Sequence, residues 1–317
     1  MKPLPPDFIR TVQGSFGGGG KRWLEALPAS LEEVACRWDL VDIRPVPNLS
    51  YNFVAFARRG GGPGRPLEEA EVVLKLGVPN RELTGEIAAL RHYDGRGACR
   101  LLEADAEEGA LLLERLRPGR LLATLADDDL ATAVAAEVIG WLWQCSNDPG
   151  WSVREAAGAG FIVLEDWFGG FRRLRQRYGG SSGPLPERLL ARAESLSRQL
   201  LSEDEAVVLH GDLHHSNLLE SARGWLAIDP KGVIGPRGYE LGPLLMNPRP
   251  GFLQGHAPRG RSERRVAILS ERLGLDRDYL RAWGFCHAVL SAWWSLEDDD
   301  ADGWQYSLDC AEIFAQA

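Results

Sequence analysis

The sequence predicts an α+β protein of two lobes: a small N-terminal lobe with an antiparallel sheet plus a helix, and a larger, mainly helical C-terminal lobe. Three observations point there. Short apolar runs of strand length follow one another between residues 39 and 116, interrupted by one helical pattern. Past Pro118-Gly119 the pattern changes to long stretches of helical spacing. The length, 317 residues, is too great for a minimal module and short for three domains. The expected division is a sheet-bearing lobe over 1–116 and a helical lobe over 117–317.

Residues 21–37 place Trp23, Leu24, Leu27, Leu31, Val34 and Ala35 at near-helical spacing, and Pro28 predicts a break within that helix. The preceding Gly17-Gly18-Gly19-Gly20-Lys21 fails as a phosphate loop. Ser15 stands where its first Gly belongs and Arg22 where Ser or Thr belongs, so the run reads as a flexible linker. Strands are expected at 39–46, 51–58, 71–77, 99–104 and 109–116, with a hairpin loop at 59–66 and a helix at 80–93. Helices follow at 121–145, 186–201, 262–273, 276–295 and 302–315, and 158–171 reads as irregular and aromatic. Two short strands, 206–209 and 225–228, bracket a sharp loop.

Composition narrows the function classes. With 36 Lys and Arg against 45 Asp and Glu the net charge is −9, which speaks against a nucleic-acid partner. No apolar run has the length of a membrane span, and the first ten residues hold no signal-peptide core. Five scattered cysteines without a CxxC pair read as reduced thiols, hence a cytoplasmic protein. The 11 tryptophans, concentrated past residue 140, suit a large core or a pocket wall.

The chemistry concentrates in 207–230, VVLHGDLHHSNLLESARGWLAIDP. Asp212 precedes Asn217 by five positions, the spacing of the catalytic loop of protein kinases, and a second apolar strand ends on Asp229. Phosphoryl transfer needs a carboxylate beside the attacking hydroxyl, a role that fits Asp212. It also needs hard oxygen ligands for Mg²⁺, which Asn217 and Asp229 can supply. His210, His214 and His215 also allow a zinc reading, but no fourth ligand has suitable spacing and zinc leaves Asp229 unexplained. Upstream, Lys75 is the charge inside the apolar run of 72–76, and Glu86 follows in the next helix, as a phosphate-holding lysine and its partner would. By the same logic, backbone groups around Glu114 and Leu116 stand where an adenine would be held.

HGDLHHSN, with IDPKG and GYELGPLL, resembles the aminoglycoside phosphotransferase branch of the kinase-like superfamily, most nearly its streptomycin 6-phosphotransferase and hydroxyurea phosphotransferase group. GGGKRWLEALP and LLLERLRPG are similar to that group's N-terminal signature and lobe junction, so the resemblance runs from about Gly14 to the last helix. It implies a protein-kinase-like fold and transfer of the ATP γ-phosphate, with Mg²⁺, to a small-molecule hydroxyl: an aminoglycoside, streptomycin-like, or hydroxyurea. Asp212 would be the base, Asn217 and Asp229 the metal ligands, and Lys75 with Glu86 the phosphate anchor. PNLSYNF over 47–53 departs from the protein-kinase G-x-G-x-x-G, which leaves Ser50 and backbone amides to cradle phosphate. Lys231 would face phosphate or acceptor, and Glu240 stands where the group usually has Asp, a structural position.

The acceptor is less legible. The acidic run 297–300, Asp299 included, could attract a cationic sugar or simply cap the final helix. His287 and Trp294 lie seven apart on one predicted helix and, with Trp283, could line the acceptor pocket, though core packing explains them as well. A kinase of glucosamine, choline or homoserine and a nucleotide-binding pseudokinase are the alternatives. Protein phosphorylation is disfavoured because 235–247 is short and rich in Gly and Pro, with no activation segment. Monomer and homodimer stay equally open.

Overall fold

The computed structural model describes residues 3–60, 71–146, 160–202, 206–255 and 257–316. Strands β1 (Leu40–Pro45), β2 (Phe53–Arg59), β3 (Glu71–Leu76), β4 (Leu101–Asp105) and β5 (Ala110–Glu114) form an antiparallel sheet in the order β1-β2-β3-β5-β4. Most of the 59–66 loop expected from the sequence lies outside the described residues. The central strand β3 shows why the sheet is covered on both sides. Val72, Leu74 and Leu76 are buried on one face with Phe53, Ala55 and Leu112, while Val73 and Lys75 alternate to the other. Helix α1 (Pro6–Arg37) covers the first face, and helix α2 (Arg81–Tyr93), capped by the Asn80 side chain on the Leu83 N–H at 2.9 Å, covers the second.

Helix α1 is two antiparallel arms. Gly17 sits at φ 53°, ψ −130°, outside helical geometry, and the chain reverses there. Phe8 packs edge-on against Trp23 with ring centroids 6.3 Å apart, and the Val12 carbonyl lies 2.4 Å from where a Cβ on Gly20 would be. In one straight helix, residues eight apart would be separated by about 12 Å. The break expected at Pro28 is therefore at Gly17 instead. The second arm runs through Pro28 because Leu27 and Val34 on either side of it are fully buried against the sheet, which outweighs the lost backbone bond.

After β5 the chain crosses into strand β6 (Pro118–Leu121) and a short 3₁₀ turn before α3 (Asp128–Cys145), so the helix expected from residue 121 starts later, at an Asp127 cap. Where the sequence looked irregular, β7 (Ile162–Val163) leads into α4 (Leu164–Arg177), followed by α5 (Glu187–Leu200). Next come β8 (Ala206–Leu209), the hairpin β9 (Leu218–Ser221) and β10 (Gly224–Ala227), then β11 (Val233–Pro236). They form two small sheets, β10-β9-β6 and β7-β11-β8. The short α6 (Leu241–Leu245), α7 (Pro258–Leu273), α8 (Arg277–Glu297) and α9 (Ala301–Ala315) complete the helical part.

Two apolar clusters result. The smaller lies between the sheet and α1; the larger takes in Leu83, Ile87 and Leu90 of α2, Leu111 and Leu113 of β5, and the helices beyond. Helix α2 is thus rooted in the same core as the helical part. Among the described residues no helix is long and apolar enough to cross a membrane.

Candidate active site

The β3 register turns Lys75 toward α2, where its Nζ lies 2.7 Å from both Glu86 carboxylate oxygens and 3.1 Å from Asp229 Oδ1. Lys75 and Glu86 are buried. Burial opposes a charged lysine here, but the Asp229 and Glu86 carboxylates outweigh it and hold the ammonium above its ordinary range. Burial likewise pushes the Asp229 carboxyl up, and Lys75 overrides it, leaving Asp229 below the usual carboxylate value. Two carboxylates around one ammonium leave this corner negative, a setting that suits a divalent cation.

Backbone contact fixes the pair. In α2, a Cβ on Gly85 would lie 2.5 Å from the Lys231 carbonyl oxygen, and one on Gly232, at φ 65°, would lie 2.1 Å from the Gly85 oxygen. The helix carrying Glu86 and the segment following Asp229 therefore touch main chain to main chain, which two glycines permit. Lys231 Nζ adds an ion pair to Glu82 Oε2 at 2.9 Å, and Arg81 pairs with Asp166 of α4 at 2.8 Å.

The loop after β8 is held from beneath. Glu240, wholly buried, accepts the His210 N–H at 2.6 Å through Oε2 and the Gly211 N–H at 3.0 Å through Oε1. Burial pushes its carboxyl up to about 7 even though both N–H groups favour the anion. His210 is also buried, its Nε2 lying 2.8 Å from the Ile228 carbonyl oxygen, so Nε2 carries the hydrogen and Nδ1 accepts the Asp212 N–H at 3.3 Å. Burial lowers its pKa to about 4, which keeps the one tautomer that makes both bonds. Asn217 donates its amide to the Asp212 carbonyl at 2.9 Å, closing the loop and turning the amide oxygen away from that bond. The Asp212 carboxylate is 40% exposed and lies 3.8 Å from His214 Nε2.

A cleft of about 680 Å³ gathers Ser50, Lys75, Glu86, Asp212, Asn217, Asp229 and Lys231, seven of the residues singled out in the sequence. It also takes in Phe16, Tyr51 and Glu82, for which the sequence suggested no role, together with Ser15, His214 and Asp298. The other expected residues stand elsewhere. Trp283 is fully buried against Tyr239 and Phe168, His287 bonds the Tyr239 hydroxyl through Nδ1 at 3.1 Å, and Trp294 packs edge-on to Trp167. They form an aromatic core behind the loop. Asp299 lies outside the cleft lining, whereas its neighbour Asp298 lies within it, and Asp300 caps α9 through the Gly303 N–H at 3.0 Å. Glu114 and Leu116 are likewise outside that lining, and the Glu114 N–H is already donated to the Arg100 carbonyl at 3.0 Å.

Among the described residues no three His, Cys, Asp or Glu side chains are grouped to hold a metal. The histidines of the loop are therefore not drawn together as a zinc site would need, and the oxygen pair Asn217 and Asp229, beside net negative charge, fits a metal that takes its remaining ligands from phosphates and water.

Comparison with known proteins identifies the family. The chain is 32% identical to a streptomycin 6-kinase of Streptomyces glaucescens, over 99% of this chain and 96% of that protein. It is 34% identical to a hydroxyurea phosphotransferase of Kitasatospora aureofaciens, over 98% and 85%. In fold it is similar to an aminoglycoside phosphotransferase solved as a ternary complex with ADP and hygromycin B, at a TM-score of 0.59 and 12% identity, covering 90% of this chain and 97% of that one. The family model described as aminoglycoside/hydroxyurea antibiotic resistance kinase matches residues 65–299, and the chain belongs to that family.

Proposed function

We propose that this protein transfers the γ-phosphate of ATP, with Mg²⁺, to a hydroxyl of a streptomycin-like aminoglycoside. The observation that carries the reading is that Lys75, Asp212, Asn217 and Asp229 line one cleft. Its volume lies within the range of about 300–1,000 Å³ that takes drug-sized ligands. Residues 1–116 would hold the nucleotide and residues 117–317 the acceptor, and a reaction drawing on ATP fits the cytoplasm.

Asp212 would accept the proton of the attacking hydroxyl. Its carboxylate is open to the cleft while its main chain is fixed by His210 and Asn217, so the oxygen is presented at a constant place. Lys75, held charged between two carboxylates, would orient the nucleotide phosphates, and Glu86 would keep the lysine extended toward them. Asn217, through its amide oxygen, and Asp229 would hold the magnesium, which when bound neutralises charge on the phosphate oxygens. Ser50 would bond phosphate from the loop between β1 and β2.

Hydroxyurea is the second reading, favoured by the 34% identical phosphotransferase that acts on it. Turnover of Mg·ATP with streptomycin and with hydroxyurea, products weighed by mass spectrometry, separates the two. Asp212→Asn is expected to lower transfer to the true acceptor by about 10²-fold or more, the usual cost of a lost base. A variant with wild-type turnover would remove Asp212 from the mechanism.

A further inference from the structure

We propose that the tip of the N-terminal helical hairpin is a specificity-determining wall of the cleft, with Phe16 offering its ring to a saturated ring of the acceptor. The inference rests on the aminoglycoside reading and deepens it.

The tip is built to stay in place. Its two arms are pinned by Phe8 on Trp23 and by the Val12 carbonyl over Gly20, and Phe8, Val12, Leu27 and Val34 are all fully buried. Only at Gly17, φ 53°, does the chain turn, which sets Ser15 and Phe16 at the head of the hairpin. Both line the cleft that holds Asp212 and Asp229. Phe16 is half-buried: part of its side chain packs on the cluster between α1 and the sheet, and the rest faces the cleft. Ser15 is exposed.

The hairpin belongs to residues 1–116, yet it is a separate element from those that carry the phosphate-binding residues. Lys75, Glu86, Asn217 and Asp229 occupy the phosphate end and are polar, whereas Phe16 is an aromatic ring on a separate element. The same cleft is lined by Tyr51, 50% exposed, and Asp298. A lining that combines an aromatic ring, a carboxylate and a phenol suits a ligand with an apolar ring face and cationic substituents, which an aminocyclitol has and hydroxyurea lacks. Packing does not account for the glycine run: no atom lies within 4 Å of a Cβ on Gly14, Gly17 or Gly19, and only Gly20 is pressed by its neighbours.

The test is streptomycin binding by calorimetry and steady-state kinetics on the full chain. Phe16→Leu keeps the apolar packing and loses the ring; it should weaken streptomycin binding and raise its KM about three- to tenfold, with the KM for ATP unchanged. Phe16→Tyr should retain wild-type affinity. Ser15→Trp, at an exposed position that folding does not need, should obstruct the cleft and raise the streptomycin KM at least as much. Hydroxyurea turnover, where present, should be the same in wild type, Phe16→Leu and Phe16→Tyr. Equal streptomycin affinity in wild type, Phe16→Leu and Ser15→Trp overturns the hairpin's role while leaving the aminoglycoside reading intact. A wild type that neither binds nor phosphorylates streptomycin overturns that reading and the hairpin's role with it.

Discussion

At the residue scale, Glu240 shows how a buried side chain governs a loop that it does not belong to. Its two oxygens take the His210 and Gly211 N–H groups, so the anion is the form that holds the loop. Its carboxyl, pushed up to about 7 by burial, gains a proton as pH falls through that value, and one acceptor is then weakened. The wild-type rate should therefore drop on acidification through about pH 7. Glu240→Gln replaces one acceptor by a donor, leaves a buried N–H without its partner, and should cost about 1–3 kcal/mol in stability. Its pH–rate profile, measured by ATP turnover, should lose that limb and run below the wild type throughout. Lys75, Asp212, Asn217 and Asp229 were legible in the sequence because each is fixed by short-range pattern: a charge within a strand, a five-residue spacing, a strand end. Glu240 was read only as structural, since its task is defined by amides thirty residues away.

At the element scale, the contact between α2 and the segment after Asp229 sets two principles against each other. Gly85→Ala should gain about 1 kcal/mol by helix propensity alone. The new Cβ would sit 2.5 Å from a backbone oxygen that is itself fixed, so the helix must shift and carry Glu86 away from Lys75. The steric effect should win: a lower melting temperature, and an ATP KM raised about tenfold or more as the buried charged bond is lost. Calorimetry and ATP kinetics on one variant check both. Elements with a clear period were legible, including α2, α8 and the strands of the large sheet. Helix α4 was not, because its glycine pair and its Arg-rich sequence mask the buried stripe of Leu164, Phe168, Phe171 and Leu174. The reversal at Gly17 was hidden because a linker and a helical hairpin share the same glycines. Trp283 and His287 were correctly placed on one helix, but periodicity gives a face and not what that face meets, and here it meets Tyr239 and the core.

At the scale of the whole molecule, buried histidines link folding to pH. Burial lowers His210 and His287 to about 4 and His215 to about 3, and neither ring nitrogen of His215 has a hydrogen-bond partner among the described residues. Below pH 6.5 the unfolded chain takes up protons on these three rings, while the folded chain does not until far lower pH, so acidification favours unfolding. Glu240 opposes this between about 7 and 4.5, where the folded chain binds the extra proton. The three histidines outweigh Glu240 and Glu86, whose carboxyl burial also raises, so stability should fall between pH 6.5 and 4.5 by on the order of 1 kcal/mol per pH unit, as urea titrations at stepped pH would show.

The glycine contact between α2 and the chain past Asp229 bears on how such an enzyme is governed. A switch needs two arrangements of its parts, and parts that alternate need an interface able to slide. Main chain seated on main chain, with no room for a single added carbon, does not slide. The ion-paired lysine is thus put together as the chain folds, by a contact that leaves it no second arrangement to alternate with.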